Sequence, residues 1–164
     1  MRVLFIDTVH DHLWSHLTRM DYDCTDGSEW SRSQILEQIA GYEGVVIRSR
    51  IKIDADFLAA AKKLRFVARA GSGMENIDVE HAKMLGVECF NAPEGNRDAV
   101  AEHAVGMLLG LFNHIHTSDR EVRKGVWLRE PNRGVELLGR TIGIIGYGNT
   151  GQAFAKRLAG FGVL

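Results

Sequence analysis

Three glycines in Gly146-Tyr147-Gly148-Asn149-Thr150-Gly151 stand at GxGxxG spacing. Each glycine has a separate task in such a loop. Gly146 permits a tight turn. Gly148 lets a backbone come close to a pyrophosphate. Gly151 lets a helix lie against a strand. The apolar run Thr141 to Ile145 precedes the loop, and a helical pattern from Gln152 to Ala159 follows it. Strand, glycine turn and helix together point to a dinucleotide, with its diphosphate on the free N–H groups of a helix start.

A second glycine turn, Arg69-Ala70-Gly71-Ser72-Gly73, directly follows the apolar run Phe66-Val67-Ala68. At the C-terminal end of a parallel strand, such a turn faces the ligand crevice of an α/β sheet, and its N–H groups can hold a carboxylate. Arg48-Ser49-Arg50 follows Val45-Val46-Ile47 in the same way, so two guanidiniums could clamp a carboxylate or phosphate. The seven histidines include no HExxH and no third ligand at fixed spacing, so no metal site is expected. Cys24 and Cys89 form no CxxC and are expected to be buried free thiols.

The elements that must position these groups alternate along the chain. Strands are expected at Val3 to Ile6, Val45 to Ile47, Phe66 to Ala68, Val87 to Phe90 and Thr141 to Ile145. Helices are expected around Leu13 to Leu17, after a Ser31 cap, around Phe57 to Ala61, and from Val79 to Leu85 before Gly86 as C′ glycine. Short apolar strands separated by helices imply a parallel sheet covered on both faces. The expected fold is α/β: a small flavodoxin-like doubly wound domain over residues 1–98, then the truncated start of a Rossmann domain over 99–164. The second part opens with a long helix at 99–116, capped by Asp98. Gly106 and Gly110 lie four apart on it, which suggests close approach of another helix, within the chain or from a second subunit. Thr117 to Arg140 reads as a loop-rich connection.

With 164 residues, 45% apolar content, 25% charged content and a formal net charge of -1, nothing favours nucleic acid as a partner. The longest apolar helix candidate carries Glu102, His103, Asn113 and His114 and is too short and polar to span a bilayer. An acid at position 7 comes too early for a signal peptide, so a cytoplasmic location is expected. The chain ends soon after Gly151, before further Rossmann strands and a ribose-reading acid can occur. It is therefore expected to be the front part of a longer enzyme, with weak anchoring after about Val126.

The stretches Val46 to Arg50, Arg69 to Asp78, Asn91 to Asn96, Val100 to Ala104 and Glu136 to Gly148 together resemble the D-isomer-specific 2-hydroxyacid dehydrogenases, in that family's order. The resemblance implies NAD as cofactor and hydride transfer between nicotinamide C4 and C2 of a small 2-hydroxy or 2-keto acid, in a cleft between two domains. It implies that Gly71, Ser72 and Gly73 hold the substrate carboxylate and that Ser72 also touches the cofactor. Arg48 and Arg50 match residues that meet a substrate phosphate, which favours 3-phospho-D-glycerate. Glyoxylate or hydroxypyruvate is the alternative. Asn96 matches a polar residue near the hinge. Gly146, Tyr147, Gly148, Asn149, Thr150 and Gly151 match the cofactor loop, with Asn149 where a basic residue is common. The family's catalytic arginine, glutamate and histidine match no residue of this chain, so the 164 residues alone are expected to be inactive. The helix 99–116 matches a homodimer element. From another class, a non-catalytic flavodoxin-like binding or dimerisation module also fits the pattern. A phosphoreceiver needs an aspartate where Arg48 stands.

Overall fold

A computed structural model describes all 164 residues. The chain divides into two compact units, Met1–Pro93 and Glu94–Leu164. The division falls a few residues ahead of the expected boundary at 98.

The first unit is a five-stranded parallel sheet. Its strands are β1 (Arg2–Phe5), β2 (Asp23–Asp26), β3 (Gly44–Ile47), β4 (Phe66–Arg69) and β5 (Glu88–Phe90), in the order β2-β1-β3-β4-β5. Helix α1 (Asp11–Arg19) connects β1 to β2. Helix α2 (Arg32–Gln38) crosses back to β3, and α3 (Ala55–Ala60) and α4 (Val79–Met84) carry the sheet on to β5. Right-handed crossovers in opposite directions must put their helices on opposite faces. The side chains follow that rule and alternate with period two. Leu4, Ile6, Val45 and Ile47 pack with Ile35, Phe57 and Ala82, while Val3, Phe5 and Val46 pack with Leu13, Trp14 and Leu17 of α1.

Local chemistry sets the helix starts. Ser31 and Gln34 form a reciprocal capping box, with Ser31 N donating to Gln34 Oε1 at 2.8 Å. Asp54 accepts from Phe57 N at 3.1 Å, and Asp78 accepts from His81 N at 3.0 Å. Helix α4 ends before Gly86, whose φ of 75° fits the expected C′ position.

Strand β2 was not expected. Its sequence, Asp23-Cys24-Thr25-Asp26, lacks an apolar run, and it becomes a strand because β1 offers a free edge. Cys24 and Cys89 are half-buried on β2 and β5 rather than fully buried. Partial burial nonetheless pushes both thiols above the ordinary cysteine range.

The second unit holds α5 (Arg97–Phe112), α6 (Ile115–Val122) and α7 (Asn149–Leu158). Helix α5 neither starts at an Asp98 cap nor runs to residue 116. Asn96 is its N-cap, without a side-chain bond, and Asp98 lies in the first turn. His114 is left-handed, with φ 49°, and separates α5 from α6, so part of the expected loop after Thr117 is helical. Gly110 is buried, and a Cβ there would lie 3.3 Å from His116 Nε2, whereas Gly106 faces open space. Arg157 of α7 pairs with Asp98 at 3.0 Å and Glu102 at 3.1 Å of α5.

Thr141 to Ile145 forms no assigned strand. Only its start is paired: Leu164 N donates to Arg140 O at 2.8 Å, and Ile142 N donates to Leu164 O at 3.1 Å. This is a parallel pairing one bridge long. The remaining residues have no neighbouring strand, and Ile145 is fully exposed.

Candidate functional sites

The first candidate site lies at the C-terminal ends of β3 and β4. Leaving β4, Ala70 N donates to Ile47 O at 2.8 Å and Gly71 N to Arg69 O at 2.8 Å. The turn is pinned from β5, where Ala92 N donates to Gly71 O at 2.9 Å and Asn91 Nδ2 to Ser72 O at 2.6 Å. The N–H groups of Ser72 and Gly73 have no acceptor within the protein. Two adjacent free amides on a pinned turn are suited to a small anion. A Cβ on Gly71 would strike the Arg69 guanidinium, and one on Gly73 would strike the Glu75 carboxylate. Both side chains therefore fold back across the turn, and a side chain at either glycine would have to displace them.

The two arginines after β3 separate in role. Arg48 is exposed, and its backbone N–H donates to Asp7. Arg50 is committed to the protein. It donates from Nη1 to Trp30 O at 2.7 Å, from Nη2 to Gly27 O at 3.0 Å and from both Nε and Nη2 to Ile6 O, with Asp7 at 3.7 Å. In this strand order the ligand crevice of a doubly wound sheet opens between β1 and β3. Arg50 fills it. The expected Arg48 and Arg50 clamp is thus corrected: both residues are exposed, but the Arg50 guanidinium is a clasp on backbone carbonyls, whereas the Arg48 side chain makes no bond within the protein.

Sequence reading assigned no role to Arg69 or Asn76. Arg69 ends β4 in register with Ile47, so it terminates the strand beside the one that leads into Arg48. Two arginines closing adjacent strands are the signal that could have drawn it in. Asn76 joins the two loops through its side chain, and nothing local in the sequence marks that contact. A hollow of about 320 Å³ beyond β1 and β2 is lined by Asp7, Asp11 and Asp26. Hydrogen bonds from Ser28 hold the Asp26 carboxyl below its ordinary range.

The second candidate site is the glycine loop of the second unit. Gly146 has φ 90°, which supplies the sharp turn. Gly148 is the extended N-cap of α7 and offers no side-chain cap, so the first N–H groups of that helix lack side-chain acceptors. Gln152 N closes the first helical bond to Gly148 O at 3.0 Å, and Gln152 Nε2 donates to Tyr147 O at 3.1 Å. The Gly146 carbonyl fills the place where Gly151 would carry a Cβ, while a Cβ on Gly148 would meet nothing within 4 Å. One glycine therefore serves packing, and the other leaves room for a guest. Asn149 and Thr150 open the helix, and Tyr147 is exposed beside them. Asn96 lies at the start of α5. No group of three His, Cys, Asp or Glu side chains is placed to hold a metal ion, and no helix is long and apolar enough to cross a membrane.

Known proteins resemble this chain over most of its length. The family model described as D-isomer specific 2-hydroxyacid dehydrogenase, catalytic domain, matches residues 3–159. A D-3-phosphoglycerate dehydrogenase of Archaeoglobus fulgidus is 36% identical over 157 residues, covering 96% of this chain and 30% of that protein. A hydroxypyruvate reductase of Thermotoga maritima is 39% identical over 132 residues, covering 80% of this chain and 43% of that protein. The NAD-dependent formate dehydrogenase of Staphylococcus aureus, solved in complex with NAD, shares the fold with a TM-score of 0.79 at 23% identity, over 99% of this chain and 54% of that one. The chain thus spans well under two thirds of each of these proteins. Its α/β fold, its two glycine turns in their order and the match over nearly its whole length place it in the D-isomer-specific 2-hydroxyacid dehydrogenase family.

Proposed function

We propose that this chain supplies the acid-binding turn and the dinucleotide loop of an NAD-dependent dehydrogenase acting on a small 2-hydroxy acid. The observation that carries this reading is the contrast between Gly148 and Gly151. A glycine facing open space at a helix start has no packing reason to be there, and close approach by a diphosphate supplies one. NAD as cofactor also draws on the NAD-complexed structure that shares the fold. When bound, the cofactor accepts or donates the hydride. The chain's own residues bind and orient: the α7 amides receive the diphosphate, and the Ser72 and Gly73 amides receive the substrate carboxylate beside the Arg69 guanidinium that lies against Gly71.

3-Phospho-D-glycerate is the substrate this reading favours, supported by the phosphoglycerate dehydrogenase relative and by the exposed Arg48. The hydroxypyruvate reductase relative supports a second reading with an unphosphorylated acid. A non-catalytic flavodoxin-like module is the reading from another class; it is disfavoured because the Arg50 guanidinium, bonded to the Ile6, Gly27 and Trp30 carbonyls, is not free to hold a ligand at the end of β3. The 164 residues alone bind but do not turn over substrate, since the arginine, glutamate and histidine implied by the resemblance match none of them. A homodimer through α5 belongs to the same reading, with exposed Val100, Met107 and Leu111 spaced along one face of that helix.

Calorimetric titration of the chain with NAD tests the assignment. Saturable binding that Gly148→Val abolishes is the expected result, and NAD binding untouched by Gly148→Val overturns it. Competition between 3-phospho-D-glycerate and hydroxypyruvate for the turn at 71–73 separates the two substrate readings.

A further inference from the structure

Asn76 stands between two strand-end loops of the first unit. Its Nδ2 donates to Arg48 O at 3.3 Å and to Ile51 O at 3.2 Å, and its Oδ1 accepts from Arg69 Nε at 3.4 Å. Two carbonyls and one guanidinium fix the sense of the amide, because turning it over would set its oxygen against both carbonyls.

The fold does not need this side chain to hold the segment. Backbone bonds already fasten it: Ile53 N donates to Asn76 O at 2.8 Å, Asp78 N to Ile53 O at 2.9 Å and Ile77 N to Met74 O at 2.9 Å. What the side chain adds is a link from the Arg48 backbone to the Arg69 guanidinium. That guanidinium lies against Gly71, next in sequence to the free amides of Ser72 and Gly73. Without Asn76, Arg69 keeps its charge but loses its only hydrogen-bonding side-chain partner, and the Arg48 and Ile51 carbonyls lose a shared donor.

We infer that Asn76 is a positioning residue for the turn at 71–73, holding the Arg48 loop and the Arg69 guanidinium in register with the Ser72 and Gly73 amides so that a small carboxylate meets a preorganised site. This rests on the acid-binding reading of that turn. Preorganisation raises affinity by removing the cost of ordering the groups at the moment of binding, so its loss shows in the dissociation constant of a folded protein.

The test is an amide and arginine Nε–H NMR titration of the 164-residue chain with 3-phospho-D-glycerate, run on wild type, Asn76→Ala and Asn76→Ser. Wild type is expected to give saturable shifts at Ser72 and Gly73. Both variants are expected to stay folded, to move the Arg69 Nε–H resonance and to raise the dissociation constant by about fivefold or more. Unchanged affinity in a folded Asn76 variant overturns the inference and leaves the acid-binding reading intact. Absence of shifts at Ser72 and Gly73 in wild type overturns that reading and the inference with it. Failure of both variants to fold assigns Asn76 to stability and also overturns the inference.

Discussion

The carbonyl oxygen of Gly146 sits where Gly151 would otherwise carry a Cβ. The two glycines therefore depend on each other: the turn made by the first is closed by the second. Gly151→Ala should force the loop apart and destabilise the chain by about 1–3 kcal/mol, as overpacking of a tight contact does. Gly148→Ala meets no such obstacle and should change stability by no more than about 0.5 kcal/mol. Its effect should fall on NAD, with affinity lowered about tenfold or more. Urea unfolding and NAD titration of both variants check the contrast, and equal effects of the two substitutions on stability would refute it.

The arginines after β3 should divide in the same manner. Arg50→Leu strips the carbonyls of Ile6, Gly27 and Trp30 of charged donors, and a loss of about 2–3 kcal/mol is expected. Arg48→Ala should be neutral in stability to about 0.5 kcal/mol while weakening acid binding. A shared denaturation midpoint for Arg50→Leu and wild type would count against the clasp.

Asp54 links α3 to α2. Desolvation raises its carboxyl pKa, but hydrogen bonds from Phe57 N and Arg32 outweigh it and leave the group below its ordinary range. A lowered folded pKa contributes stability that is present above the unfolded value of about 3.9 and is lost as pH falls below it. The pair is more than a third exposed, so solvent screening keeps its share small. Asp54→Ala should cost about 1–2 kcal/mol near neutrality, mostly as a lost helix cap, and the difference from wild type should shrink in acid. Melting curves across that pH range measure it, and a difference that grows in acid would contradict the assignment.

If a second copy covers α5, Leu111→Asp should abolish association and leave the helix folded, because Leu111 is exposed in the single chain. Sedimentation velocity over a range of concentrations reads the outcome directly. A mass unaffected by the substitution removes α5 as the interface.

Much of the first unit was legible because its strands carry their burial in their composition. Val45-Val46-Ile47 can only be covered on both faces, and the caps at Ser31 and Gly86 follow from local hydrogen bonding. Strand β2 was illegible for the opposite reason: a polar segment becomes a strand through its neighbour's open edge, which no local pattern records. The end of α5 was misplaced because apolar spacing continues to Ile115, while the left-handed His114 breaks the backbone. In the turn at 71–73, glycine spacing marked the amides. It could not show that Arg50 is spent on carbonyls or that Asn76 reaches Arg69, because those contacts join residues far apart in sequence.

The apolar side chains buried in the second unit are few, Ala101, Leu137, Ala153 and Leu158, whereas the first unit buries two clusters around its sheet. With each large apolar side chain contributing about 1.5–3 kcal/mol, the two units rest on very unequal foundations. The glycine loop at 146–151 sits on the weaker one. If the second unit opens transiently while the sheet stays folded, NAD affinity should be scaled down by the fraction of molecules in which the loop is closed. NAD bound to the closed form should then protect the amides of α7 from exchange, and the guest would complete the structure of its own host.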